Sequence, residues 1–286
     1  MEDILAFIPG LKFPDVSITG PICPLGCKYC KGYYLRNMEP TLTPKKLYDT
    51  AKFLAKRGAK GLLISGGFNL DGRLPIEPFL SAIKDIKRDF NLVISVHSGL
   101  VDKSLAIKLR EAGVDIVDYE LIIDDYVIKE IMNLKSKGSA DFIKSFEILE
   151  AYGPPYIAPH VPIGLNYGKV VKEYEAVDVI SQFKPYILIF LVFIPTKGTD
   201  MENVRPPSVT EIINVIHYGN LKVRSEIALG CMRPWFMKFI LDPLVYKLKL
   251  VSRIVNPPKL MIRKYGIKVI EACCSIPREL FDIFIE

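Results

Sequence analysis

The sequence predicts an α/β fold of the (β/α)8 TIM type, closed into a barrel and followed by a short C-terminal extension. Two observations carry this expectation. Short apolar runs rich in β-branched residues alternate with longer amphipathic runs of helical period. Eight such strand-then-helix units fit in 286 residues, a usual length for one barrel. A core of that size is available, because 50% of the residues are apolar and only 24% are charged.

Strands are expected at residues 15–19, 61–65, 92–97, 115–122, 156–163, 186–194, 222–229 and 252–255. Helices are expected between them, at 44–57, 76–90, 104–112, 140–152, 171–183 and 209–217. Gly58, Gly113 and Gly153 stand where a left-handed cap ends a helix, and Thr43-Pro44 and Ser208 where an N-cap opens one. The competing architecture is a six-unit open barrel with a C-terminal add-on. No repeat or long linker divides the chain, so residues 1–286 read as one domain. Residues 267–276 read as a further strand or extended segment, and 278–286 as a short helix. Together, 267–286 are expected to lie over the barrel mouth.

The formal net charge of +6 is modest, and Lys and Arg are scattered among Asp and Glu. No nucleic-acid footprint is read from it; a mild positive field suits an acidic substrate or partner. The most apolar run, 186–195, is too short to span a bilayer as a helix and suits a buried strand. Met1-Glu2-Asp3 is acidic where a signal peptide would be basic. The expectation is a cytoplasmic protein with no membrane partner. Six cysteines in such a chain point to metal or redox chemistry rather than disulfides.

Three of them, in Cys23-Pro-Leu-Gly-Cys27-Lys-Tyr-Cys30, follow the first expected strand. In a barrel that places them at the catalytic end. Their spacing lets three thiolates surround one cubane and leaves the fourth iron without a protein ligand. A structural zinc site would want a fourth ligand, and the nearest candidate, Cys231, is about two hundred residues away.

This CxxxCxxC loop, with the aromatic Tyr29 before its third Cys, resembles the radical S-adenosylmethionine (SAM) superfamily. The resemblance implies a TIM-type radical SAM barrel with a 4Fe-4S cluster on Cys23, Cys27 and Cys30. That cluster would chelate SAM and cleave it to a 5′-deoxyadenosyl radical. Tyr29 would then pack near the adenine. Ser65-Gly66-Gly67, at the end of the second expected strand, matches the family's glycine pair, whose missing Cβ atoms admit the methionine moiety. A Cβ at Gly67 is expected to weaken SAM binding with the cluster retained. The family often has an acid next; here Phe68 follows, which leaves the amino-group contact to backbone carbonyls.

Further segments resemble biotin-synthase-related enzymes, including some thought to act as archaeal-type lipoyl synthases: Val96-His97-Ser98-Gly99, Pro159-His160-Val161-Pro162-Ile163-Gly164, Pro195-Thr196-Lys197-Gly198-Thr199 and Leu229-Gly230-Cys231-Met232-Arg233. By that resemblance, Glu120 or Asp118 holds the ribose, and the backbone at Ile163-Gly164 meets the adenine. His97 and His160 are candidates for the cavity wall, against the plain alternative of structural hydrogen bonding. A tight turn is the plain alternative for Ile163-Gly164.

Cys231, Cys273 and Cys274 make a second set of three. Buried free thiols are the bland reading. If the C-terminal segment crosses the mouth, the set is expected to hold an auxiliary Fe-S cluster. Arg233 is then expected to bind a substrate carboxylate as a planar fork, or to serve as an unusual ligand. In biotin and lipoyl synthases such a cluster is the sulfur source. The resemblance therefore implies a sulfur-inserting transferase, with an electron donor such as ferredoxin. It also implies a lipoyl-domain protein as substrate and a second radical SAM subunit as partner. A radical methylase, mutase or dehydrogenase, or a non-catalytic metal-binding subunit, are the alternatives.

Overall fold

Continuous β-branched runs with both faces covered make parallel strands, and this chain forms one parallel sheet from them. The computed structural model describes residues 3–285. The acidic Met1-Glu2 start and the final Glu286 of the expected last helix lie outside them. The strands are β1 (Leu5–Phe7), β2 (Asp15–Ser17), β3 (Glu39–Pro40), β4 (Gly61–Ser65), β5 (Val93–Val96), β6 (Ile116–Glu120), β7 (Tyr156–Ile163), β8 (Ile187–Val192), β9 (Glu226–Leu229), β10 (Arg253–Val255) and β11 (Val269–Ile270). The helices are α1 (Pro44–Lys56), α2 (Leu80–Phe90), α3 (Lys103–Glu111), α4 (Ser139–Tyr152), α5 (Glu173–Ser181), α6 (Val209–Lys222), α7 (Lys238–Lys247), α8 (Lys259–Tyr265) and α9 (Asp282–Ile285).

The eight expected strands are β2 and β4 to β10, and they lie side by side in chain order. The TIM-type α/β class therefore holds. The sheet is wider than expected: β3 adds beyond β2, and β1 and then β11 add beyond β10. β2 and β10 consequently do not pair, and the curled sheet stays open between β3 and β11.

Alternation along the strands makes two cores. Val117 and Tyr119 of β6 face the helices and join the outer core. Ile116 faces inward with Val93, Ala158, Ile187, Ile189 and Ala228. Asp118 and Glu120 share that inward side by the same alternation. Helix boundaries follow local signals. Thr43 caps α1 by accepting from Lys46 N at 3.2 Å, and Ser208 and Glu211 form a capping box on α6. α6 runs on to Lys222, so β9 starts later than the residue 222 expected. The apolar run 235–251 folds as α7, and α8 is a helix that the periodicity did not predict.

The C-terminal segment corrects the expectation that 267–286 crosses the mouth. Arg278 pairs with Glu226, the first residue of β9, at 2.7 Å. The hydroxyl of Tyr156, the first residue of β7, donates to Glu279, and Lys12 Nζ donates to Phe284 O at 3.2 Å. Residues 278–285 thus close the floor of the barrel, where the strands begin. The cause is hydrophobic: Phe281 meets Phe7 and Phe284 meets Phe13, both with centroids 5.7 Å apart. An open floor would leave these rings in water.

Candidate functional site

The loop after β2 carries Cys23, Cys27 and Cys30 to the open end of the barrel. Gly26 takes φ +59°, the left-handed conformation the tight turn needs. The segment after β6 holds the loop from outside: Lys28 N donates to Ile131 O at 2.8 Å, and Asn133 Nδ2 donates to Leu25 O and Gly26 O, each at 3.0 Å. Cys27 is buried, and Cys23 and Cys30 are half-buried. The thiols are close enough to control one another. A hydrogen bond with Cys30, then burial, pushes the Cys27 thiol well up, with the charges of Cys30 and Cys23 adding to it. The same bond lowers Cys30. Three such thiols release all their protons only if a cation compensates. Among the described residues, no three His, Cys, Asp or Glu side chains converge on a single ion. A cubane asks for less, since each thiolate binds a different iron.

Gly66 and Gly67 pack against this loop. A Cβ on Gly67 would lie 2.1 Å from Ile22 O and 2.4 Å from Cys23 Cα. Gly67 N also donates to Thr19 Oγ1 at 2.6 Å. The expectation that a Cβ there leaves the cluster intact is therefore corrected: it would displace Cys23 itself.

Beside the loop opens a cleft enclosing about 390 Å³, part of it open to solvent. Tyr29, Tyr34 and Glu120 give it polar groups; Pro162, Leu165, Leu191, Phe193 and Met232 give it apolar walls. Burial raises the Glu120 carboxyl, with His97 opposing, and burial pushes the Tyr29 phenol well up, helped by Cys27 and Cys30. Glu120 rather than Asp118 lines the cleft. Asp118 lies one inward layer deeper, accepting from Ser95 Oγ. His97 bridges the two levels, with Nδ1 3.4 Å from Ser65 Oγ and Nε2 3.8 Å from Asp118 Oδ2. His160 faces His97 at 6.3 Å between centroids. It is buried on Ala158 O at 2.9 Å, which supports the structural reading; burial lowers its pKa. Asp118 Oδ1 is buried without a hydrogen-bond partner.

Ile163 and Gly164 stand differently from the expectation. The Ile163 side chain sits in the outer core, and its carbonyl accepts from Phe193 N at 2.9 Å. Gly164, at φ +86°, donates to Glu173 Oε1 at 2.8 Å. Both are occupied by a tight strand-to-helix turn, and their neighbours Pro162 and Leu165 line the cleft instead.

Cys231 lies within electrostatic reach of Cys273 and Cys274, although not by a segment crossing the mouth. The chain after β11 turns inward, and Ser275 Oγ donates to Cys273 Sγ at 3.3 Å. A hydrogen bond with Cys274 lowers Cys273 and raises Cys274 well up. Burial, then the charge of Cys273, pushes Cys231 up to about 11. Cys231 keeps solvent-accessible surface. Tyr34, which sequence reasoning missed, is within reach of the charges of both Cys30 and Cys231. Its hydroxyl is 2.6 Å from Thr196 Oγ1. The adjacent Tyr33-Tyr34 after the Cys loop was the available signal.

Arg233 is not available to a substrate. Its Nε and Nη2 donate to Asp242 at 2.8 and 2.6 Å, Nη1 donates to Gly230 O at 2.6 Å, and Nη2 also donates to Val255 O at 2.7 Å. Neither side chain of the pair has accessible surface. Arg233 ties α7 to the ends of β9 and β10.

Residues 17–177 match the Radical SAM superfamily, and the chain belongs to that superfamily. Within it, the chain is similar to the biotin synthase of Leptospira interrogans, with 25% identity over 228 residues, 75% of this chain and 62% of that one. It is similar also to that of Coxiella burnetii, with 22% identity over 216 residues, 74% of this chain and 66% of that one. The chain thus spans under two thirds of the length of these relatives. In fold it resembles the hydrogenase maturase HydG from Carboxydothermus hydrogenoformans, with TM-score 0.68 and 14% identity over 96% of this chain and 70% of that one. It also resembles methylornithine synthase (PylB), with TM-score 0.63 and 15% identity over 93% and 83%.

Proposed function

We propose that this chain is an enzyme that cleaves SAM reductively, abstracts a hydrogen from its substrate, and inserts sulfur at the resulting carbon. The observation that supports the reading is Tyr34, which lines the cleft and lies within electrostatic reach of Cys30, in the first set of thiols, and of Cys231, in the second.

The first set fits a 4Fe-4S cluster by its donor chemistry, three thiols on one loop at the barrel's catalytic end, with Cys27 and Cys30 hydrogen-bonded to each other. When bound there, the cluster supplies the electron that breaks the S–C5′ bond of SAM and leaves a 5′-deoxyadenosyl radical. Around it, Tyr29 offers a ring face to the nucleoside and Glu120 a carboxyl to the ribose hydroxyls. Leu191, Phe193 and Met232 keep water from a carbon radical in the cleft. Cys231, Cys273 and Cys274 would hold an auxiliary Fe-S cluster as the sulfide source, and the similarity to biotin synthases supports that role. An electron donor such as ferredoxin, a lipoyl-domain protein substrate and a second radical SAM subunit belong to the same proposal.

Anaerobically prepared protein, given dithionite and SAM, is expected to release 5′-deoxyadenosine. With an octanoylated lipoyl-domain peptide it is expected to give thiolated product. Iron-loaded protein that releases no 5′-deoxyadenosine would refute the reading.

A further inference from the structure

The surface formed by α7, α8 and the turn before α7 has a composition unlike the rest of the molecule. Met237, Leu241 and Val245 point into the core. On the outer side, Trp235 is 72% exposed, and Phe236, Phe239, Ile240 and Leu260 are each more than half exposed. The Trp235 and Phe239 rings meet edge to face at 4.9 Å, so these two aromatics form one exposed cluster. α7 and α8 lie together, with Tyr246 stacked on Tyr265 at 4.6 Å. Each follows the end of a parallel strand, so both begin at the mouth of the barrel. Soluble monomers rarely leave such a patch uncovered.

Charge tells what covers it. From residue 235 to 270 there are eight Lys and Arg and a single acid, Asp242. That acid is buried against Arg233, so every exposed formal charge of the segment is positive. The chain's net charge of +6 resides here. A second copy of the chain would set like charges face to face. Six of the eight cations are Lys, and Arg253 is buried. Protein interfaces are depleted in Lys, whereas lysines around exposed Trp and Phe are the composition of a helix lying in a headgroup layer.

We propose that this face docks on an anionic lipid surface, with Trp235 and Phe239 in the headgroup zone and the lysines against the phosphates. The proposal departs from the sequence expectation of no membrane partner. It involves no crossing: among the described residues, no helix is long and apolar enough for that. The proposal is independent of the reaction proposed above.

Trp235 is the only tryptophan, so its emission reports the face directly. The full chain is mixed with phosphatidylglycerol or phosphatidylcholine vesicles, then sedimented, and its emission is read. Co-sedimentation and a blue shift are expected on the anionic vesicles at low salt, and about tenfold weaker binding on the neutral ones or in high salt. Lys238→Glu with Lys259→Glu should weaken binding by at least about tenfold with the circular dichroism unchanged. Phe239→Ser should reduce the blue shift. Absence of binding to anionic vesicles overturns the proposal. So does unchanged binding of the charge-reversed variant. A Trp235 shift that grows with protein concentration without vesicles would assign the face to a second copy instead, and also overturns it.

Discussion

Gly67 shows how one missing Cβ sets the site. With Cys23 Cα 2.4 Å from where its Cβ would be, the cluster loop can close onto β4 only over glycine. Gly67→Ala should therefore lose iron as well as SAM affinity, read as the iron content of anaerobically reconstituted protein. Full iron with weakened SAM binding would show that the Cys loop yields instead. Glu120 lines the cleft beside that loop. Glu120→Gln should keep the cluster's colour and weaken SAM binding by about tenfold, the worth of one hydrogen bond to a buried group. Equilibrium dialysis checks it, and unchanged affinity would remove Glu120 from the nucleoside site. Cys23, Cys27, Cys30 and Tyr29 are legible because their spacing is local. Arg233 is not: its side chain could serve a substrate until Asp242 and the carbonyls of Gly230 and Val255 take its donors. Asp242→Ala should leave a buried guanidinium unpaired and cost about 3–5 kcal/mol, seen as a lower midpoint in urea.

The elements that frame the cavity are fixed at both ends, and at the floor by charge. Glu226 opens β9 between Arg253 at its side and Arg278 from the C-terminal segment. Burial alone would raise its carboxyl, but the two guanidinium groups hold it at about 2. Its folded pKa lies below the unfolded value of 4.5, so this contribution is complete above pH 4.5 and disappears as pH falls toward 2. The shift corresponds to about 3 kcal/mol for this largely buried group. Glu226→Gln should flatten stability between those pH values and expose the C-terminal segment to limited proteolysis. A variant with the parental acid profile would contradict the assignment. The long apolar β8 and the eight-residue β7 are legible as strands from period and length. β1, β3 and β11, of two or three residues each, are too short to carry a period, and they are the strands that widen the sheet. The basic character of 235–270 is diluted in the whole-chain balance and emerges once Asp242 is buried.

For the whole molecule, the fold brings chain segments two hundred residues apart to one cavity. The first cysteine loop, β6 and the segment after β9 meet there, and the C-terminal chain runs from β11 to the floor. The floor position of residues 278–285 was not legible, because the aromatic pairs that hold it join the two ends of the sequence. The second thiol set is placed by that path: Cys273 and Cys274 lie on the segment whose Ile276, Phe281 and Phe284 pack in the inner core. The central claim, two clusters serving one cleft, is tested most directly by iron and sulfide analysis of a variant with Cys23, Cys27 and Cys30 all replaced by Ala. After anaerobic reconstitution it is predicted to retain iron, sulfide and brown colour, and to lose them when Cys231→Ala is added. A triple variant that holds no iron or sulfide would contradict the claim.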